Sequence, residues 1–251
     1  MIRLTAAFLA VGTLLLASQE RRPVALVITG GTVVTMDGAR VLAPGAVAID
    51  GREIVAVDTP DGVASRFHAR EAIDASADVV LPGLVNAHTH APMLASGTAP
   101  VPATRRAGIP VGIGTDGAAS NNDLDMFEAM RQAALLQKLQ TGDPRAIPAS
   151  VALEMATIEG ARALGMMREI GSLVAGKRAD LIVVSMSSAR QTPMYDPISH
   201  LVYATRGDDV KTTIVNGRVL MRDRKVLTLN EAAVLQEARA LAARVRAAVG
   251  R

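Results

Sequence analysis

Two stretches at opposite ends of the chain share one strand-and-turn grammar, and little chain lies between them. From Val24 the residues fall into short β-branched runs: Val24–Ile28, Thr32–Thr35, Ala46–Ile49 and Glu53–Val57. Gly30-Gly31, Asp37-Gly38 and Asp50-Gly51 punctuate them. The far end repeats the pattern with Asp180–Val184, Thr212–Val215, Arg218–Met221 and Lys225–Leu227. Asp50-Gly51 and Asn216-Gly217 each read as a hairpin turn, since both central residues of a type I′ turn need positive φ. Either half alone leaves apolar faces and open edges, so the two are expected to pair.

The middle reads differently. Val79–Val85 is apolar but for Pro82-Gly83, and Val111–Gly114 is a second short apolar run. Asn121 or Asn122 is expected to cap a helix to about Leu139, with Leu124, Phe127, Met130 and Ala134 at helical spacing. Ser150 is expected to cap another to about Leu164, stopped by Gly165. Such strands followed by helices suggest pieces of a parallel α/β layer. The tail, Glu231–Val249, reads as an amphipathic helix with Leu235, Ala238, Leu241, Val245 and Val249 on one side.

Composition narrows the function. The chain has 251 residues, enough for one or two domains, and 49% are hydrophobic, which excludes general disorder. Phe8, Phe67, Phe127, Tyr195 and Tyr203 are its only aromatics, so nucleobases find few stacking platforms. Its 23 Arg and 4 Lys are scattered, which excludes a nucleic-acid surface. Without cysteine there is no disulfide, thiolate nucleophile or Cys-ligated metal.

Met1–Ser18 opens with Arg3 and then Leu4–Ala17, an apolar run of 14 residues. A spanning helix needs about 20, whereas a secretory signal does not. Residues 1–22 are therefore expected to be a signal peptide or anchor, giving a periplasmic, secreted or membrane-tethered protein. A buried amino-terminal helix is the alternative.

Four histidines exist: His68, His88, His90 and His200. His88-Thr89-His90 comes after the Val79–Val85 run, and residues i and i+2 of a strand share a face. Two imidazoles there can begin a zinc or iron site, or can be two partly exposed histidines at a strand end. Asp116, in Gly114-Thr115-Asp116-Gly117, is a candidate ligand or general base, or else an Asx-turn. Gly112–Gly117 also fits G-x-G-x-x-G. Pro110 spoils the preceding strand, however, the helix opens late, and no acidic residue lies between Glu128 and Asp143.

Leu81-Pro-Gly-Leu-Val-Asn-Ala-His-Thr-His90 resembles the first-strand metal motif of the amidohydrolase superfamily. Gly114-Thr-Asp-Gly-Ala-Ala-Ser-Asn-Asn-Asp-Leu-Asp-Met-Phe-Glu128 is similar to the eighth-strand segment of its methylthioadenosine/S-adenosylhomocysteine deaminase and chlorohydrolase branch. Met155–Gly165, Ile170–Val184, Asp196–Tyr203 and Ile214–Arg218 resemble the segments that come after the eighth strand in that branch. The resemblance implies an α/β plus β fold: a composite β-sandwich from both chain ends, residues 23–80 and 171–230, around a TIM barrel. Residues 81–170 would be a partial barrel, with Val79–Val85 and Val111–Gly114 as neighbouring parallel strands. Residues 231–251 would be a C-terminal helix.

The resemblance also implies a metal-dependent hydrolase acting on non-peptide carbon–nitrogen bonds, deaminase-like, on a purine nucleoside or triazine-like molecule. His88, His90 and Asp116 become ligands of a weakly bound divalent metal, zinc or iron. Asp116 also becomes the catalytic carboxylate that takes a proton from water and passes it to departing ammonia. His68 and His200 fall outside the site. The family's two further histidines and its catalytic glutamate have no counterpart, since the next histidine after His90 is His200. Leu81–Gly165 is 85 residues, against about 250 for a whole barrel. The middle of the barrel is read as missing, with a junction at Ala91–Leu94. Activity is expected to be impaired, unless homo-oligomer formation completes the site. The alternative is a degenerate, non-catalytic paralogue or truncated gene product that keeps the sandwich.

Overall fold

The computed structural model describes residues 20–87 and 99–250. The strands are β1 (Arg22–Thr29), β2 (Thr32–Val34), β3 (Val41–Leu42), β4 (Ala46–Asp50), β5 (Glu53–Asp58), β6 (Phe67–Asp74), β7 (Asp78–Pro82), β8 (Leu181–Ser185), β9 (Val210–Val215), β10 (Arg218–Arg222) and β11 (Lys225–Val226). The helices are α1 (Pro60–Ala64), α2 (Val101–Arg106), α3 (Ala118–Asn121), α4 (Met126–Thr141), α5 (Ala149–Met155), α6 (Ile158–Ala163), α7 (Pro197–Tyr203) and α8 (Glu231–Ala248). The fold is mixed α/β.

The strands form two sheets. One has the order β5-β4-β1-β6; the other, β11-β10-β9-β8-β7-β2-β3, joins strands from both chain ends. The join is β7 against β8, antiparallel, with Val80 opposite Val183. Both strands are almost wholly buried, because each faces two cores. Val80, Leu181 and Val183 pack with Leu26, Ile28, Val47 and Ile49 of the smaller sheet. Val79, Leu81, Ile182 and Val184 point the other way, onto Phe127 and Met130 of α4, Leu153 of α5 and Leu201 of α7. Alternation along a strand sends neighbouring side chains to opposite faces, so a strand between two layers must be apolar throughout.

Several expectations change. The Val79–Val85 run is not one strand: β7 ends at Pro82, pairs antiparallel with β8 and parallel with β2. Pro82 is its last residue, opposite Leu181, and the Gly83 N–H makes one more bond, to the Asp180 carbonyl at 3.0 Å. Val111–Gly114 forms no strand, and among the described residues no strand lies between Pro82 and Leu181. The expected parallel pair of barrel strands is therefore absent there. Asn121 and Asn122 end α3; the long helix is capped by Asp125, whose Oδ1 accepts the Phe127 N–H at 2.8 Å. Phe127, Met130 and Ala134 are buried, but Leu124 precedes the cap and is exposed. Ser150 is not a cap: Pro148 precedes α5, and the helix breaks at Ala156–Thr157 before α6. The turn expected at Asp50-Gly51 sits one residue on, at Gly51-Arg52, between paired Asp50 and Glu53, and positive φ falls on Gly51. Asn216 and Gly217 both have positive φ, as a type I′ turn requires. The segment 1–19, which carries most of the expected signal, lies outside the described residues. Among the described residues no helix is long and apolar enough to cross a membrane.

Candidate functional site

The stretch after β7 turns away from the sheet and is stitched to the stretch before Asp116. The Ala87 N–H donates to the Ile113 carbonyl at 2.9 Å. The Asn86 side chain doubles the link: its Nδ2 donates to Thr115 Oγ1 at 2.8 Å, and its Oδ1 accepts the Thr115 N–H at 3.3 Å. The junction of α5 and α6 supplies the third side. The Val85 N–H donates to the Ala156 carbonyl at 2.8 Å, and the Ile113 N–H to the Met155 carbonyl at 3.2 Å. Three irregular segments thereby satisfy their backbone groups without forming a strand.

Close approach needs a residue without a side chain. A Cβ on Gly112 would stand 2.6 Å from Ala87 Cβ and 3.1 Å from Gly160 Cα. Real carbon atoms do not pack that closely, so glycine is required at 112.

Asp116 comes directly after this stretch. Its φ is +60°, a left-handed conformation uncommon outside glycine and tolerated by aspartate and asparagine. Its Oδ1 accepts the Gly117 N–H at 2.7 Å, and its carbonyl accepts from Thr115 Oγ1 at 3.0 Å. Thr115 is buried and Asp116 half-buried. The carboxylate borders a cavity of about 580 Å³ lined also by Ala87, Asn121, Glu128, Gln132 and Met155. A larger cavity, about 640 Å³, lies elsewhere. Its polar groups are committed: Asp125 Oδ2 accepts the Gly207 N–H, Asp180 Oδ1 the Asn216 N–H, and Arg224 donates to Gly207 and Val210 carbonyls. The Asp116 cavity is the one that borders a candidate site residue.

His88 and His90 lie outside the described residues, so of the three expected ligands only Asp116 has a described position. Among the described residues no group of three or more His, Asp or Glu side chains is placed to hold a metal. His68 is exposed on β6, and His200 is half-buried on α7 with Nε2 buried and without a hydrogen bond among the described residues. Neither lines the Asp116 cavity. Sequence reasoning does not single out the Asn86–Thr115 link. Its only signal is position, since each residue stands just before a candidate ligand segment.

The amidohydrolase family profile matches residues 92–220. A 5-methylthioadenosine/S-adenosylhomocysteine deaminase of Halobacterium salinarum is 54% identical over 157 residues, 62% of this chain and 36% of that protein. A 5'-deoxyadenosine deaminase of Methanosarcina barkeri is 55% identical over 145 residues, 58% of this chain and 33% of that protein. The chain thus spans about a third of the length of the curated relatives it matches. Among solved structures, an adenosine deaminase from Xanthomonas campestris with bound zinc superposes with a TM-score of 0.84 at 20% identity, covering 90% of this chain and 100% of that one. An atrazine chlorohydrolase from Arthrobacter aurescens TC1 complexed with zinc gives 0.71 at 15% identity, covering 86% and 99%. At such identities these two show the fold. The profile covers just over half of the sequence, and this chain belongs to the amidohydrolase family.

Proposed function

We propose that the chain carries the metal-binding end of an amidohydrolase site, built from His88, His90 and Asp116. Its reaction is hydrolysis of a non-peptide carbon–nitrogen bond in a small molecule of the aminopurine nucleoside or triazine type. The observation that carries this reading is the pair of links, Ala87 to Ile113 and Asn86 to Thr115. They hold the residue before His88 against the segment that ends in Asp116. The deaminase names of the relatives support the bond type.

The donor set fits a divalent ion. Two neutral imidazoles and one carboxylate, with a fourth position left for water, match catalytic zinc. Such an ion, when bound, supplies the acidity that makes water a nucleophile near neutral pH. With the ion held by His88, His90 and Asp116, the Asp116 carboxylate would be the group that takes a proton from the attacking water and returns it to the departing amine. Thr115, itself bonded to Asn86, donates from Oγ1 to the Asp116 carbonyl and so ties the Asp116 backbone to the link.

The two β-sheets are read as the family's composite sandwich, residues 23–80 and 171–230, and residues 81–170 as a shortened barrel. The shortening impairs the activity. A missing general acid/base costs about 10²–10⁴-fold, and an open cavity weakens fixed charges that act best when water is excluded. A non-catalytic reading is favoured by one observation, the absence of any strand between Pro82 and Leu181 among the described residues. Ammonia release from S-adenosylhomocysteine, methylthioadenosine or a triazine, with added zinc, tests the proposal. The expected rate is at least about 100-fold below that of a full-length relative, zinc-dependent and abolished by Asp116→Asn. Release independent of zinc, or unaffected by Asp116→Asn, contradicts it. No release with zinc still bound favours the non-catalytic reading.

A further inference from the structure

Helix α8 stands outside both cores. None of its residues is buried, and Val234, Leu241 and Val245 are 49%, 53% and 52% exposed. Its apolar residues are not scattered. Val234, Ala238, Leu241, Val245 and Ala248 recur at alternating steps of four and three, the inner-position spacing of a coiled coil. Leu235, Ala242 and Val249 widen the stripe on one flank. On the other flank stand Glu237 and Arg244, one heptad apart.

This charge placement distinguishes the ways a second copy could pair. In a parallel pair Glu237 and Arg244 would lie beside Ala242 and Val249 of the partner subunit, and no ion pair forms. In an antiparallel pair Glu237 faces the partner's Arg244, and symmetry makes that contact twice. The same register sets Val234 against the partner's Val245, and Ala238 against the partner's Leu241. Small residues then meet large ones, so the central layers interlock. Glu231, in the first turn, comes beside the partner's last turn, which also favours opposed helix dipoles.

We propose that α8 is a dimerisation element that pairs antiparallel with the same helix of a second copy. Its seam is Val234, Ala238, Leu241 and Val245, and the Glu237–Arg244 pairs set its orientation. The helix is about 27 Å long, short for a coiled coil, so the dimer forms in a concentration-dependent way.

Sedimentation velocity on the full chain over a concentration series tests this, with circular dichroism confirming that each variant is folded. The wild type should pass from monomer to dimer, and Leu241→Asp should stay monomeric. Glu237→Arg or Arg244→Glu alone turns both ion pairs repulsive and should weaken association at least about threefold. The double variant Glu237→Arg/Arg244→Glu should restore it, and added salt should weaken the wild type. A wild type that stays monomeric throughout overturns the proposal, and so does a dimer indifferent to the single reversals. A monomeric wild type means the apolar face packs on another protein or back on its own chain, and an indifferent dimer means that the copies pair in parallel or through another surface.

Discussion

Gly112 sets how near three segments can come. Gly112→Ala places a methyl group into Ala87 and Gly160. Overpacking of this kind costs about 1–3 kcal/mol, and it pushes Ala87 off Ile113. Urea unfolding should show a lower midpoint with unchanged slope; an unchanged midpoint would mean the segments are looser than described. Thr115→Val removes the acceptor for Asn86 Nδ2. Asn86 is exposed, so water takes up its amide, and the cost should be about 1 kcal/mol. Lys177 gives a pH-dependent case. Its ammonium donates to the Met167 and Ile170 carbonyls and to Ser172 Oγ. Burial holds its pKa below the ordinary 10.5, against a smaller opposing pull from Asp37. The unfolded chain therefore binds that proton more tightly than the folded one. Raising the pH through the folded pKa removes a cost, so stability relative to Lys177→Met should rise from about pH 7 to about pH 10. Unfolding of both proteins across that range checks it, and a flat or falling difference contradicts it.

At the scale of elements, α4 separates what spacing shows from what it hides. Met130 is fully buried against β7 and β8, so Met130→Ala should cost about 2–5 kcal/mol. Leu139, on the same helix, is 80% exposed, and Leu139→Ala should stay within about 0.5 kcal/mol. Thermal unfolding of the pair tests the assigned face. The spacing of Phe127, Met130 and Ala134 makes that face legible in the sequence. Leu124 fits the same spacing but precedes the cap, and periodicity alone does not locate a cap when Asn121, Asn122, Asp123 and Asp125 all qualify. Val79–Val85 shows a second limit. An apolar run says that both faces are buried, not whether the neighbour runs parallel or antiparallel. The hairpin at Asn216-Gly217 is legible because both residues tolerate positive φ. The other turn shifts because Asp50 pairs with Glu53 as the last residue of β4. The links at Asn86 and Thr115 carry no periodic signal at all. For the amino-terminal segment we propose export: Met1–Arg22 fused to a reporter active only outside the cytoplasm should give signal. A silent reporter would mean that the segment is not an export signal.

Among the described residues the two cores stack three layers: the smaller sheet, the larger sheet, and helices α4, α5 and α7. Strands from both chain ends complete the middle layer, and Lys211 pairs with the buried Asp78 at 3.2 Å to tie β9 to β7. The candidate site sits beyond this middle layer, where β7 gives way to residues 83–87. Three hydrogen-bonded stretches and Gly112 hold residues 85–87 against the segment that ends in Asp116. On the proposed reading, the family's further ligands and the supporting groups around them have no counterpart in this chain. Outer partners alone are worth about 10–100-fold in metal affinity, so zinc binding should survive but be weak. Equilibrium dialysis of the full chain against zinc measures this most directly, with His88→Ala/His90→Ala and Asp116→Asn beside the wild type. About one zinc per wild-type chain is expected, lost in the double histidine variant and reduced in Asp116→Asn. Zinc content unchanged by removing both histidines would contradict it.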